Sequence, residues 1–347
     1  MSPRANQIKK HTLAGSPYDI GYEHGKLAEE QIKNSLQTYE KMFRDYAETS
    51  WDEACDLALL HVNYVKEHYP SFLEEMKAIA MGAKVEFEDI LVLNCRSEIV
   101  LTSPDGCSSF ALTQPKTEKT WLAQNWDWKR EQVNSILHLE LVQNNLPTIQ
   151  MVTEAGIIGK IGYNSHGIGV CLNALRTNQW HAKLPIHLGL RAILESHTFE
   201  EAISRIDQNQ IASAAHFLIG SKSKDIISVE VSPVYTEKIL PKHGSLQHTN
   251  HICSSKMKQA MDEFAKPDSF DRLSMLSNLI DSQIDKSINH EFLFQLLANH
   301  DNYPNSICRH HNPALSEQEQ TETVFSIAMN LNDAGFYWFL GKPCQYV

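Results

Sequence analysis

The feature that most constrains this chain is an abrupt change of hydrophobic period at Gly106-Cys107. Before it, apolar residues recur every three or four positions; after it, they fall in short runs broken by Gly and Asn. Ser16-Pro17 sets an N-cap followed by proline at the first helical position. Ile32, Leu36, Tyr39, Phe43 and Tyr46 then mark one face of a helix. Ser50 and Glu53 form a capping box for the next helix, whose pattern runs through Leu57, Leu60 and Tyr64 and stops near Pro70. A third helical segment over 71–80 meets Gly82, the expected C-cap.

Past the switch, strands are predicted at 107–112, 121–128, 136–142, 148–153 and 167–172. Two helical pieces follow within 184–206, then strands at 216–219 and 226–231, then helices at 270–281 and 291–299. Asn332-Asp333-Ala334-Gly335 joins two last apolar runs as a hairpin. Helices first, strands in the middle and helices again predict an α+β chain: sheets with helices packed outside them, in one compact unit.

Bulk properties narrow the partners. The net charge of −11 repels phosphate backbones, so no nucleic-acid partner is expected. No apolar run reaches the ~18 residues that cross a bilayer, so no membrane partner is expected either. The polar start over 1–10 lacks a signal-peptide core, and Gln345-Tyr346-Val347 is no peroxisomal address; a cytoplasmic location is the expectation. The seven cysteines are odd in number, scattered, and include no Cys-x-x-Cys. Neither a disulfide framework nor a bound metal is therefore expected.

The chemistry concentrates in four places. A Gly106-Cys107 bond at the head of a strand sets a thiol beside its own preceding carbonyl, and glycine tolerates the backbone angles that such an attack needs. Scission there would free an α-amino group with a pKa near ~7.7–8.0 on the residue whose thiol titrates near ~8.5. One residue would then carry nucleophile and base. A Gly-Cys pair by itself is more often a buried cysteine after a turn. In Gln124-Asn125-Trp126-Asp127-Trp128, Asn125 and Asp127 share one face of a strand, and Asp127 is placed to orient the new ammonium. The bland alternative is an aspartate in a turn between two core tryptophans. In His248-Thr249-Asn250-His251, the histidine spacing suits a metal pair, but Asn250 suits an oxyanion donor better. Arg272 and Arg309 each stand near a serine, fit either to hold a substrate carboxylate or to make a structural ion pair. No phosphate-binding loop and no Gly-x-Ser-x-Gly elbow occurs, and His310-His311 reads as an inert polar pair.

From about Gly15 to Pro343 the chain resembles the acyl-coenzyme A:6-aminopenicillanic-acid acyltransferase (isopenicillin N acyltransferase) family of N-terminal-nucleophile hydrolases. The segments that carry the resemblance are Asp19-Ile-Gly-Tyr-Glu-His-Gly25, Asp105-Gly-Cys107, Gln124-Asn-Trp-Asp127, Pro147-Thr-Ile149 and Thr153-Glu-Ala-Gly-Ile-Ile-Gly-Lys160. His248-Thr-Asn-His251, Asp301-Asn-Tyr-Pro304 and Ser306-Ile-Cys-Arg309 complete them in the same order. The resemblance implies a four-layer αββα sandwich, autoprocessed into a helical segment 1–106 and a segment 107–347 that stay together. It implies Cys107 as nucleophile, Asp127 near its amine, Asn250 as oxyanion donor, Ser232 in acyl-group handling and Arg272 near the site. No cofactor is implied. Acyl-coenzyme A would be a substrate, and the partners are a small acyl donor, an amine or water as acceptor, and the chain's own cleaved segment.

Two departures stand out. Wider relatives carry Arg-Asn-x-Asp where this chain has Gln124-Asn125-Trp126-Asp127, and the penicillin-forming members carry Gly-x-Ser-Arg-Gly where it has the acidic run over 316–323. The second disfavours an anionic acyl-coenzyme A if that loop lies at the pocket mouth. Three readings stay open at this point: an acyl transferase, a hydrolase of N-acyl amino acids or related amides, and an unprocessed binding protein of the same fold.

Overall fold

The computed structural model describes residues 8–101, 106–207, 209–282 and 287–347. Two sheets form its centre. The larger has eight strands, built from β1 Lys10–Gly15, β4 Ile136–Gln143, β5 Ile149–Glu154, β6 Ile161–Asn164, β7 Ile168–Ala174, β8 Ala215–Ser221, β9 Ile226–Val231 and β10 Thr236–Ile239, in that spatial order. The smaller has five, in the order β11 Ser245–His248, β2 Gly106–Leu112, β3 Trp121–Trp128, β12 Glu322–Asn330 and β13 Gly335–Leu340. All pairings are antiparallel except β1 with β4.

The sheets lie face to face, β2 and β3 against β7 and β8. Gln124 of β3 sews them together as a backbone would: its amide donates to the Leu172 carbonyl at 2.5 Å and accepts from the Leu172 N–H at 3.0 Å. β2 and β3 are buried on both faces, so neither alternates cleanly, and each carries buried polar residues, Ser108 and Ser109 in β2 and Gln124, Asn125 and Asp127 in β3.

Helices cover the two outer faces. Among the described residues, seven lie between β1 and β2: α1 Pro17–Leu27, α2 Glu29–Ala47, α3 Trp51–Leu59, α4 Val62–His68, α5 Pro70–Ala83, α6 Phe87–Asn94 and α7 Arg96–Ile99. They group beside α8 Ile186–Leu194 and α9 Phe199–Ser204, which lie on the eight-stranded sheet. After α10 Ser255–Ala260, α11 Pro267–Asp281 and α12 His290–Leu297 cover the five-stranded sheet. The result is the αββα arrangement expected from the sequence, with β1 and much of the helical cover supplied from before Gly106.

Two local expectations are corrected. The helix after Ser50 stops just short of Pro70 as expected, but it breaks at Leu60-His61 into α3 and α4, and Pro70 then opens α5. Gly82 is not the cap of α5; Lys84, at φ +57°, takes that place. Gly82 is interior because α1 and α5 cross with their backbones touching: a Cβ at Gly82 would lie 2.3 Å from the Tyr22 carbonyl oxygen. Strands β1, β6, β10 and β11 and helices α6, α7 and α10 escape the sequence reading, most of them being too short for a period to register.

Candidate active site

The expected hairpin exists, and its register defines the site. Gly106 lies opposite Asp127, and Cys107 opposite Trp126. Successive residues on a strand point to opposite faces, so the pair divides the chemistry into two chambers. Asp105 lies outside the described residues.

Between the sheets, Cys107 and Trp126 line an enclosed cavity with Arg96, Ser97, Lys160 and Leu172. Its volume is about 10 Å³, room for roughly one water. Two cations wall it, and both are held by one buried carboxylate: Glu154 Oε2 accepts from Arg96 Nη2 at 3.0 Å and from Lys160 Nζ at 2.5 Å. Burial opposes the charge of Glu154, but Arg96 and Lys160 outweigh it and hold the carboxyl below its ordinary range. Lys160 Nζ also sits 3.6 Å from the Trp126 ring centroid, a cation–π contact. In the sequence Lys160 stands only as the end of a segment that carries the family resemblance. The signal that finds it is the run from Thr153 to Lys160, whose acid and base close on each other.

On the helix side of the same strands lies a buried network of two acids and two bases. Asp127 is fully buried. It accepts from Thr323 Oγ1 at 2.7 Å and from Arg309 Nε at 3.3 Å. Arg309 Nη2 also donates to Asp268, which takes Arg272 Nε at 3.1 Å. Burial raises the Asp127 pKa, with Arg309 and Arg272 pulling the other way. The turn reading of Asp127 is therefore wrong, and for Arg309 the structural ion pair is what forms. Asn125 shares the Asp127 face as expected, donating to the carbonyls of Leu297 and Ile307. Gly106 abuts this network: a Cβ there would lie 2.9 Å from Asp127 Oδ2 and 3.2 Å from Arg309 Nε.

The backbone of Cys107 is gripped from this side. Its N–H donates to Asn250 Oδ1 at 2.7 Å, and its carbonyl accepts from Arg272 Nη1 at 2.6 Å. Arg272 Nη2 donates to the same Asn250 oxygen at 3.0 Å. Asn250 is in turn fixed by its own N–H to Ser269 Oγ at 2.8 Å and by Nδ2 to the Ala174 carbonyl at 3.2 Å. Cys107, Asn250, Arg272, Arg309, Asp127 and Gly106 thus form one connected cluster. Asp268 and Thr323 belong to it and were not found in the sequence; nothing short of the fold brings them there.

Other candidates fall elsewhere. The histidines flanking Asn250 diverge: His248 Nε2 pairs with Glu230 at 2.8 Å, and His251 Nδ1 with Ser269 Oγ at 2.8 Å. Burial disfavours the charged form of His248, yet Cys253 and Glu230 raise it to about 10. Ser232, just past β9, spends its hydroxyl on its own turn, accepting from Tyr235 N at 2.9 Å. The acidic run packs through its backbone, the carbonyls of Glu317, Gln318 and Gln320 crowning Lys129 Nζ.

Comparison with known proteins places the chain in a family. The profile of the family "Acyl-coenzyme A:6-aminopenicillanic acid acyl-transferase" matches residues 113–345. The acyl-coenzyme A:6-aminopenicillanic-acid-acyltransferase 40 kDa form of Emericella nidulans is 32% identical over 338 residues, which is 96% of this chain and 92% of that protein. Among solved structures, a conjugated bile acid hydrolase from Clostridium perfringens superposes with a TM-score of 0.49 at 14% identity, over 67% of this chain and 89% of the other. Penicillin V acylase from Agrobacterium tumefaciens gives 0.48 at 13% identity, over 67% and 82%. On the extent of the profile match and of the Emericella alignment, the chain belongs to the acyl-coenzyme A:6-aminopenicillanic acid acyl-transferase family.

Proposed function

We propose that the protein is an autoprocessing acyltransferase or amidohydrolase in which Cys107, once it is an N-terminal residue, carries the acyl group. The observation that supports this most directly is the grip on Cys107: Asn250 Oδ1 holds its N–H and Arg272 its carbonyl, while its side chain faces an enclosed cavity. That arrangement fixes both atoms flanking the nucleophile before any substrate arrives.

Processing begins with attack of the Cys107 sulfur on the Gly106 carbonyl carbon. The C–N bond breaks, the nitrogen takes the thiol proton, and a thioester links Gly106 to the Cys107 sulfur. Water hydrolyses that ester, leaving a Gly106 carboxylate and a Cys107 with free amine and thiol. Asp127, across the strand pair from Gly106, lies beside the bond that breaks. Arg96 and Ser97, which wall the cavity, precede the scission point, so after cleavage the cavity would be lined by both pieces.

In turnover the Cys107 amine, an Asn250 partner, takes the thiol proton. The thiolate attacks an amide or thioester carbonyl. Asn250 Nδ2 has two protons; one goes to Ala174, and the other is assigned to the oxyanion. The ammonium protonates the leaving group, and an amine or water resolves the acyl-enzyme. Arg272 positions Cys107 and Asn250 together.

Intact-mass analysis tests this. The parent should yield pieces of roughly 12 and 27 kDa, the larger beginning at Cys107. Cys107→Ala should remain one chain and lack activity. Asp127→Asn should lose about 10²-fold or more in turnover on amide or thioester substrates. A continuous parent chain with full activity, or scission persisting in Cys107→Ala, sinks the proposal. Adding an amine acceptor separates transfer, which gives the new amide, from hydrolysis, which gives only the acid.

A further inference from the structure

Away from the Cys107 cluster, four side chains converge, among them His310, which reads in the sequence as part of an inert polar pair. His300, Cys308 and His310 come from the loop after α12, and Cys344 from a 3-10 turn, Pro343–Gln345. Their four ligand atoms lie within 4.8 Å of one another. His310 Nε2 is 3.1 Å from His300 Nε2, 3.5 Å from Cys308 Sγ and 3.6 Å from Cys344 Sγ.

Those separations have a specific meaning. Tetrahedral zinc with Zn–N of ~2.05 Å and Zn–S of ~2.3 Å places neighbouring ligands about 3.3 Å apart for N–N and about 3.5 Å for N–S. The three edges that meet at His310 Nε2 therefore have the lengths of a metal tetrahedron, and the remaining three are within 4.8 Å. Its donors are two imidazoles and two thiols, a composition that selects zinc over calcium or magnesium. The loop holds its ligands in place: Cys308 N–H donates to the Asn299 carbonyl at 3.0 Å, and His310 N–H to the Pro304 carbonyl at 3.1 Å. The Tyr303 ring packs on both imidazoles, with centroids 5.9 and 5.1 Å away. Cys308 is buried while His300 is exposed, so an ion has a route in.

We propose that His300, Cys308, His310 and Cys344 form a closed four-ligand site for one zinc ion, structural rather than catalytic. It would fasten the Pro343–Gln345 turn to the loop carrying Arg309, the residue that holds Asp127 and Asp268. The sequence expectation of no metal rests on odd, scattered cysteines without a Cys-x-x-Cys; the 33 residues between His310 and Cys344 hide this set from any local spacing rule.

Cobalt(II) titration of the full-length protein, reduced and stripped with a chelator, tests the site. One equivalent per chain should bind with tetrahedral d–d bands and a thiolate-to-cobalt charge-transfer band, and zinc should displace it. Cys344→Ser should bind with about half the charge-transfer intensity, one thiolate of two remaining. His300→Ala, at an exposed position, should weaken uptake with the fold intact, and Cys253→Ser, beside Glu230 and His248, should leave the band whole. Absence of stoichiometric uptake by the parent, an undiminished band in Cys344→Ser, or a Cys308–Cys344 disulfide in the freshly isolated protein's peptide map overturns the proposal.

Discussion

At Glu98 a single side chain sets a pH dependence on the whole fold. Burial pushes its pKa up to about 7, against the hydrogen bonds from Ser213 and Ile186 and the charge of Arg96. Its Oε1 takes both of those hydrogen bonds, from Ser213 Oγ at 2.7 Å and Ile186 N at 3.1 Å. The folded protein keeps this proton between about 4.5 and 7, where the unfolded chain has released it. Stability from this group is therefore full below the ordinary carboxyl range and falls as pH rises through that window, by about 3 kcal/mol at most. Glu98→Gln keeps an acceptor and removes the charge. Its denaturation midpoint should match the parent's near pH 4 and exceed it at pH 8; an equal offset at both pH values would remove the assignment. Nothing in the local sequence marks Glu98, whereas Cys107 and Asp127 were readable from a Gly-Cys pair at a change of period and a carboxylate at hairpin distance. The difference is physical. Cys107 and Asp127 lie on the two paired strands of one hairpin, while the surroundings of Glu98 come from segments about ninety and more than a hundred residues away.

Elements show the same division. Strands β2, β3 and β9 were readable as short runs rich in apolar and aromatic residues between turn residues, and the late helices by their helical period. The crossing of α1 and α5 was not, because glycine inside a helix reads as a breaker or a cap. Here Gly21 and Gly25 of α1 and Gly82 of α5 face the opposing backbone: a Cβ on Gly25 would lie 2.1 Å from the Ile79 carbonyl oxygen and 2.8 Å from Ala83 N. Two effects compete at Gly25. Alanine normally favours a helix over glycine by about 1 kcal/mol, but a clash with backbone cannot be relieved by a rotamer change, and overpacking costs roughly 1–3 kcal/mol or more. The clash wins. Gly25→Ala should lower the thermal midpoint, and a midpoint raised as helix propensity alone dictates would show that the crossing is loose. This accounts for two glycines in the Asp19–Gly25 segment that carries the family resemblance: they serve packing, not chemistry.

Across the whole molecule, the N-terminal segment is built into the fold and is not an appendage. β1 pairs in parallel with β4 from Lys10↔His138 to Gly15↔Gln143. One hydrophobic cluster joins Ile20, Phe43, Phe72 and Leu91 to Leu139, Ile158, Leu190 and Phe217. Two buried ion pairs bridge the segments. Arg191 grips Glu75 with both terminal nitrogens, at 2.9 and 2.7 Å, and Arg96 holds Glu154 at 3.0 Å. Cutting one peptide bond between Gly106 and Cys107 removes none of these contacts. A buried charge stripped of its partner costs about 3–5 kcal/mol, so separating the pieces would expose the apolar cluster and strand these charges together. The processed pieces should therefore elute as a single species on size exclusion, at the volume of the unprocessed Cys107→Ala chain, and part only in denaturant. High salt should not part them, because screening acts weakly on buried pairs and not at all on the apolar cluster. Two native peaks, or release of the smaller piece by salt alone, would mean that the segment ahead of Cys107 is held by its surface charges, and the shared core would have to be abandoned as the reason the fold would outlast the proposed scission.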